Sequence, residues 1–276
     1  MGMRINTNIP SIAGQRALGV ASDEKLDALA KLSSGERITK AADDASGLAI
    51  SEKLKAGIRS SMQATRNAND GISLVQVAEG GLSESSNLLV RMRELAIQAA
   101  SDTYTQSDRD LTSKEFQQLK SEIDRISSST EFNGKKLLDG SGPNLDFHVG
   151  TNSTSNDQIR FQSGEVASNS ASLGISSVSV SSKFSAQDTL SKLDHAINKL
   201  SGNKATLGSI QNRLASSMSN MQINTNSLSA SNSQIRDADY AIETSNNAMA
   251  SIKESASTSV LSQANTNSAS ALKLLS

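Results

Sequence analysis

Between positions 193 and 235 an apolar residue recurs at every seventh place: Leu193, Leu200, Leu207, Leu214, Met221, Leu228 and Ile235. A strict period of seven marks a helix that lays one narrow seam against another helix, because seven residues are close to two helical turns. At about 1.5 Å per residue such a helix is roughly 63 Å long, more than an ordinary globular domain buries, so it needs partners along its length. The series three places earlier reads Leu190, Ile197, Lys204, Gln211, Met218, Thr225 and Asn232. Its polar members form either a solvated edge or a register device within the seam. A repeat sustained this far implies a left-handed supercoil with whatever packs against it.

Composition narrows the remaining choices. The 276 residues carry 27 basic and 28 acidic groups, without the basic excess of a nucleic-acid binder. No cysteine is present, so disulfides, thiolate metal sites and cysteine nucleophiles are excluded. Aromatic residues make up 3% of the chain, thin for a compact core of this length, and long helices packed through Leu, Ile, Met and Ala fit better. Met1 to Ile12 hold one Arg and no apolar run, so neither a secretory signal peptide nor a membrane span is expected, and export would need another route. Asn6 argues against a myristoylation signal.

Asn8 and Pro10 read as a helix start, Asn as the cap and Pro in the first turn. Ile5, Ile9, Ile12, Leu18, Ala21, Ala28 and Leu32 then form a narrow stripe that ends at Ser33-Ser34-Gly35. Asp43-Asp44 suit the start of a second helix over 44–100. Its heptads run through Val75, Leu82, Leu89 and Ala96, with Ala78, Met92 and Ala99 three places on and Leu74, Leu88 and Leu95 widening the stripe. A polar turn leads to a short return helix over 107–127. Phe132-Asn133-Gly134 is a turn signal, and 145–149 and 158–161 alternate with period two, so 132–182 reads as a β-hairpin region. Within it, Ile175, Val178 and Val180 suggest one more strand in an exposed, Ser-rich connection over 163–185. The long heptad helix follows over 186–235. The last segment, 236–276, carries a stripe of mostly small residues through Ile242, Met249, Ile252, Ala256, Val260, Ala264 and Ala271 to Leu274-Leu275. Its other faces are Ser, Asn and Thr, a composition marginal as a lone helix. Both ends should therefore order only on docking against something. The fold class expected is mainly α, a coiled-coil rod (44–235) with a small β-hairpin region, flanked by terminal segments 1–43 and 236–276.

The residues reached resemble bacterial flagellin. MRINTN (Met3 to Asn8), SSGERITKAADDASGLAIS (Ser33 to Ser51), RNANDGISLVQVAEGGL (Arg66 to Leu82), VRMRELAIQ (Val90 to Gln98), EIDRI (Glu122 to Ile126), EFNGKKLL (Glu131 to Leu138) and QIRDADYAIE (Gln234 to Glu243) are similar to flagellin motifs in flagellin order. The resemblance implies a short form without the large outer domains, the place of which is taken here by 163–185 alone. It implies a structural subunit, not an enzyme, that polymerises in many copies into a hollow helical filament for swimming. It further implies type III export without a cleavable leader to an extracellular flagellum, with an export chaperone, a distal cap and hook-filament junction proteins as partners. No cofactor, nucleic acid or membrane partner is implied. The chain departs from many relatives in lacking a proline near Gln263-Ala264-Asn265 and in ending in Ser276.

On this reading Ile5, Ile9, Ile12, Met249, Ile252, Val260 and Leu274 line an inner coiled coil, while Leu82, Leu89 and the seven-residue series from Leu193 to Ile235 pack the rod. Arg91, Leu95, Gln98 and Glu115 match positions at which flagellins bind an animal Toll-like receptor; rod packing is the alternative role. Asp43-Asp44 and the pair Asp237, Asp239 could be read as acid and base, but helix-start capping at two corresponding bends explains them better. His148 and His195 lack metal-ligand spacing. Serines of 163–185 could accept O-linked sugars, against the default of a flexible polar loop. A hook-filament junction protein and a signalling coiled coil are the alternative functions.

Overall fold

The computed structural model describes residues 7–273. Helix α1 spans Ile9–Ser34, α2 Ala45–Ala100, α3 Gln106–Ser129, α4 Lys183–Arg236 and α5 Tyr240–Lys273. Between α3 and α4 lie two antiparallel hairpins, β1 (Glu131–Phe132) with β2 (Lys135–Lys136), and β3 (Leu145–His148) with β4 (Gln158–Phe161). The chain divides into a terminal unit, made of the residues up to Ala56 and from Ser227, and a middle unit, Gly57–Asn226. This division falls inside α2 and α4, whereas the sequence suggested the helix breaks near 43 and 236.

The middle unit is a bundle of three helices. Lys183 and Asp102 pair at 2.6 Å and Arg93 and Asp194 at 2.7 Å, so α4 runs antiparallel to α2. Arg91 pairs with Glu115 at 2.9 Å, and Arg109 donates to the Ala99 carbonyl, which sets α3 antiparallel to α2 as well. Along α2, Val75, Ala78, Leu82, Ser85, Leu89, Met92, Ala96 and Ala99 are fully buried, alternating by three and four as a heptad seam requires. Ser85 belongs in this seam because its hydroxyl donates back to the Gly81 carbonyl. On α4 the series is buried from Leu193 to Leu214, while Met221, Leu228 and Ile235 are half-buried. Its buried companion edge is Thr189, Ala196, Asn203 and Ile210, three places after the series beginning at Ala186; the edge that the sequence suggested, from Leu190 to Asn232, is half-buried throughout. Phe116 and Ile123 close the bundle from α3.

Local chemistry fixes the ends of these elements. The Asn8 side chain accepts from Ser11 N–H, and Gly35 closes α1 in the left-handed conformation (φ 71°), donating to the Lys31 carbonyl. Thr105 and Asp108 form a reciprocal capping box on α3. Asn133 and Gly134 take φ of 51° and 74°, the two-residue turn that matches the twist of a hairpin.

The segment 162–182 corrects the sequence reading. It contains no strand, and it is not an exposed connection: Val166, Ala167, Leu173, Ile175, Val178 and Val180 are all buried in the core. Its backbone is held by side chains instead of by a ladder. Asp124 accepts from the Ser170 amide and hydroxyl, Lys120 and Lys199 donate to the Ser176 and Ser172 carbonyls, and Thr189 donates to the Ser179 carbonyl. With its polar backbone groups satisfied from α3 and α4, the segment can lie in the core without pairing.

Two adjacent glycines of α2 test this packing. A Cβ at Gly81 would stand 2.7 Å from Leu138 Cδ1 and 2.8 Å from Thr130 Oγ1, whereas at Gly80 it would meet nothing within 4 Å. Gly80→Ala should raise unfolding stability by about 0.5–1 kcal/mol, the entropy difference of the two residues in a helix. Gly81→Ala should lower it by roughly 1–3 kcal/mol through overpacking, both read from thermal or denaturant unfolding.

Candidate assembly surface

Helices α1 and α5 pair antiparallel along their lengths. On α1 the residues facing α5 are Ser11, Gly14, Leu18, Ala21, Lys25, Ala28 and Leu32; on α5 they are Glu243, Asn247, Ala250, Glu254, Ser257, Leu261 and Ala264, all buried or half-buried at alternating intervals of three and four. This is a heptad seam built largely from small residues. Gly14 lies against Leu261, where a Cβ would sit 3.4 Å from Leu261 Cδ1. Register is set by polar groups: Lys25 to Glu254 and Lys253 to Glu24, each 2.8 Å, and Asn8 Nδ2 to the Ala264 carbonyl at 3.1 Å.

The large apolar side chains of this pair face away from the seam. Ile9, Ile12, Met249, Ile252 and Val260, expected to line coiled-coil contacts, are 57, 47, 53, 68 and 58% exposed. Val20, Leu26 and Ile242 are exposed beside them. Within one chain these residues contact little; they form the outer surface of the pair. Ile5 and Leu274 lie outside the described residues.

At the far end of the pair the two strands of chain cross. Glu36 and Asp237 form an isolated β-bridge, the Ala238 amide donates to the Gly35 carbonyl at 2.9 Å, and the Arg37 amide donates to the Arg236 carbonyl at 2.6 Å. Arg236 is the centre of this joint: Nε lies 2.9 Å from Glu36 and Nη1 2.7 Å from Glu52, with the side chain 14% exposed. The Ser51 hydroxyl reaches Asn232 Oδ1 at 2.8 Å, so Asn232 bonds across helices and is no mere solvated edge.

One member of each acidic pair caps a helix start, Asp44 on α2 and Asp239 on α5, whereas Asp43 braces the loop before α2 and Asp237 bonds to the last turn of α4. Asp43 accepts from the Lys40 and Thr39 amides, and Asp44 from the Gly47 amide and the Ser46 hydroxyl. These bonds hold both carboxyls below the usual carboxylate pKa. Asp239 accepts from the Ala241 and Ile242 amides at the start of α5, and Asp237 accepts from the Ser233 hydroxyl. Among the described residues no group of His, Asp or Glu could hold a metal ion. Of the receptor-type positions, Arg91 is tied to Glu94 and Glu115, and Gln98 to the Tyr104 hydroxyl, with Arg91 and Glu115 exposed. Leu95 is 2% accessible, because it lies on the same edge of α2 as buried Leu74 and half-buried Leu88, and no partner reaches it without opening the core. Of the serines considered for glycans, Ser163, Ser168 and Ser170 are buried, and Ser176, Ser177, Ser181 and Ser182 are exposed.

What these elements define is a structural protein of paired long helices with an unsatisfied apolar surface at its ends. The chain matches the family models "Bacterial flagellin N-terminal helical region" over residues 5–142 and "Bacterial flagellin C-terminal helical region" over 190–275. It is similar to the flagellin of Halalkalibacterium halodurans, 39% identical over 99% of this chain and 100% of the relative. It is also similar to the flagellar filament 30.7 kDa core protein of Treponema maltophilum, 38% identical over 99% and 100%. Among solved structures, the Bacillus cereus flagellin crystal structure superposes with a TM-score of 0.51 at 34% identity, covering 56% of this chain and 88% of that one. The chain belongs to the flagellin family. It is a filament structural subunit and not an enzyme, and a hook-filament junction protein is not favoured. No helix among the described residues is long and apolar enough to cross a membrane.

Two predictions concern the joint. Arg236→Gln removes the charge that both Glu36 and Glu52 face, and should cost the terminal unit about 1–3 kcal/mol; proteolysis of α1 and α5 in the soluble chain should quicken accordingly. The Asp43 and Asp44 carboxyls act with pH. Since Asp43 and Asp44 titrate below the ordinary value, the stability they lend is complete above that value and is lost as pH falls through the folded one. Below about pH 4, the protection factors of the Lys40 and Gly47 amides, taken relative to their intrinsic exchange at the same pH, should fall while that of Leu89 does not.

Proposed function

We propose that the chain polymerises through its ends, with the α1–α5 pair forming the inner coiled-coil layer of a hollow flagellar filament. The observation that carries this is the division of labour in the terminal unit. Small residues make the intrachain seam, and the large side chains of Ile9, Ile12, Met249, Ile252 and Val260 are left facing out. Such stripes are covered by partners in a stable protein, and identical copies supply the complementary stripes. The rod series from Leu193 and the α2 residues Leu82 and Leu89 hold each subunit's bundle and keep its outer surface in register with its neighbours.

The family supports the remainder. The subunit leaves the cell unfolded through the flagellar type III apparatus, guided by a cytoplasmic chaperone on its C-terminal segment, and adds beneath a distal cap to a filament joined to the hook by junction proteins. The filament is extracellular and drives swimming. If the monomer meets an animal Toll-like receptor, Arg91, Gln98 and Glu115 are the contact, with Leu95 supporting them from beneath.

Ile252→Asp should abolish filament growth. Its side chain is 68% exposed, so the variant monomer should keep its helical circular dichroism, while a charge sealed unpaired between copies is costly enough to prevent assembly. Negative-stain electron microscopy of seeded preparations checks it; normal filaments from the variant would remove Ile252 from the interface.

A further inference from the structure

With no cysteine in the chain, its sulfur redox chemistry falls to methionine alone. A thioether takes one oxygen atom from a peroxide and becomes a sulfoxide, a polar group in place of an apolar one, provided that the oxidant reaches the sulfur. Of the seven methionines, Met1 and Met3 lie outside the described residues. Met92 is fully buried in the α2 seam, and Met218 and Met221 are half-buried on α4. Met62 and Met249 are open, at 47 and 53%.

These two stand in different surroundings. Met62 has the exposed Arg59 and Arg66 one turn away on its own face of α2, so one more polar atom changes little there. Met249 lies between Ile242 and Ile252 on the outer face of α5, seven and three residues away, and both are more than half exposed. Its neighbours Asn247 and Ala250 face α1 instead. Two donors within one turn of Met249 are already engaged, Asn246 with Glu243 and Lys253 with Glu24.

We propose that Met249 is a site of reversible oxidation that controls assembly: hydrogen peroxide converts it to the sulfoxide in the free subunit and disables the outer stripe of α5, whereas packing of copies on that stripe shields the sulfur. The inference rests on the filament reading. In the step the sulfur lone pair attacks one peroxide oxygen, an S–O bond forms as the O–O bond breaks, and the proton on the transferred oxygen passes to the departing hydroxide. The sulfur is oxidised, the peroxide is reduced to water, and nothing is left over. A flexible thioether fills an irregular gap between two surfaces well. The sulfoxide oxygen set between Ile242 and Ile252 must surrender its hydration when a copy packs there, which opposes assembly. Methionine sulfoxide reductases reverse the change, so the free subunit returns to competence.

The test treats the full-length soluble chain with hydrogen peroxide, removes the oxidant, and measures seeded growth while peptide mass spectrometry reads the oxygen on each methionine. Met249 should be oxidised well before Met92, and the critical concentration for polymerisation should rise at least about tenfold. Met249→Leu keeps an apolar side chain of similar volume without the sulfur. This variant should grow as the wild type does before treatment and lose nothing after it, although its other exposed methionines are oxidised. Equal losses in the variant and the wild type would overturn the proposal, as would normal growth of wild-type chain with Met249 fully oxidised. A second measurement needs no variant: Met249 in preformed wild-type filaments should oxidise far more slowly than in the monomer, and equal rates would overturn the shielding. Untreated chain that forms no filaments, seeded or not, would instead overturn the filament reading, and this inference with it.

Discussion

Two helices can approach closely only where the residues between them are small, and the α1–α5 seam is built on Gly14, Ala21 and Ala28 facing Ala250, Ser257 and Ala264. That choice has a cost. A buried methyl group contributes about 0.8 kcal/mol and a fully buried Ile or Met side chain about 1.5–3, so a seam of small residues stabilises little beyond its own register. The larger contributions sit on the outer faces, in Ile9, Ile12, Met249, Ile252 and Val260, where one chain alone cannot collect them. Within one chain the terminal unit is thus held weakly by its own seam, and its large apolar side chains stay on the outer faces.

The middle unit follows the opposite rule. Its α2 seam is fully buried from Val75 to Ala99, α3 closes it with Phe116 and Ile123, and the segment 162–182 seals it with six further apolar side chains. It is complete within one chain. Arg236 and its two glutamates, together with the β-bridge of Glu36 and Asp237, tie the ends of the terminal helices to the beginnings of α2 and the last turns of α4. Strength in the middle and incompleteness at the ends is a consistent plan for an object that folds as a monomer and functions as a polymer.

Much of this was legible in the sequence wherever large residues carried the period. The α2 heptads and the Leu193-to-Leu214 series are Leu, Val and Met, and their periodicity coincides with burial because such side chains lose most by facing water. Where the period is carried by small or polar residues the pattern disappears from view. Ser11, Lys25, Glu243, Asn247 and Ser257 occupy seam positions that hydrophobicity alone does not mark, so the outward Ile and Met residues stand out in their place. Asn203 and Thr189 hide the buried edge of α4 in the same way. In 163–185 the serine content suggested exposure, whereas a hydrogen bond from the Ser170 amide to Asp124 and bonds donated by Lys120 and Lys199 allow that backbone to be buried without a strand. Arg236 carries no sequence signal at all, since its role depends on two carboxylates brought together from 36 and 52.

The most direct test of the central claim is hydrogen exchange by mass spectrometry on the soluble chain and on the polymer made from it. Large gains in protection across α1 and α5 on polymerisation, with the amides from Val75 to Leu95 already slow in both states, are the expected result. Equal protection of α1 and α5 in monomer and polymer would contradict it, because the outer faces of the terminal pair would then gain nothing from neighbouring copies.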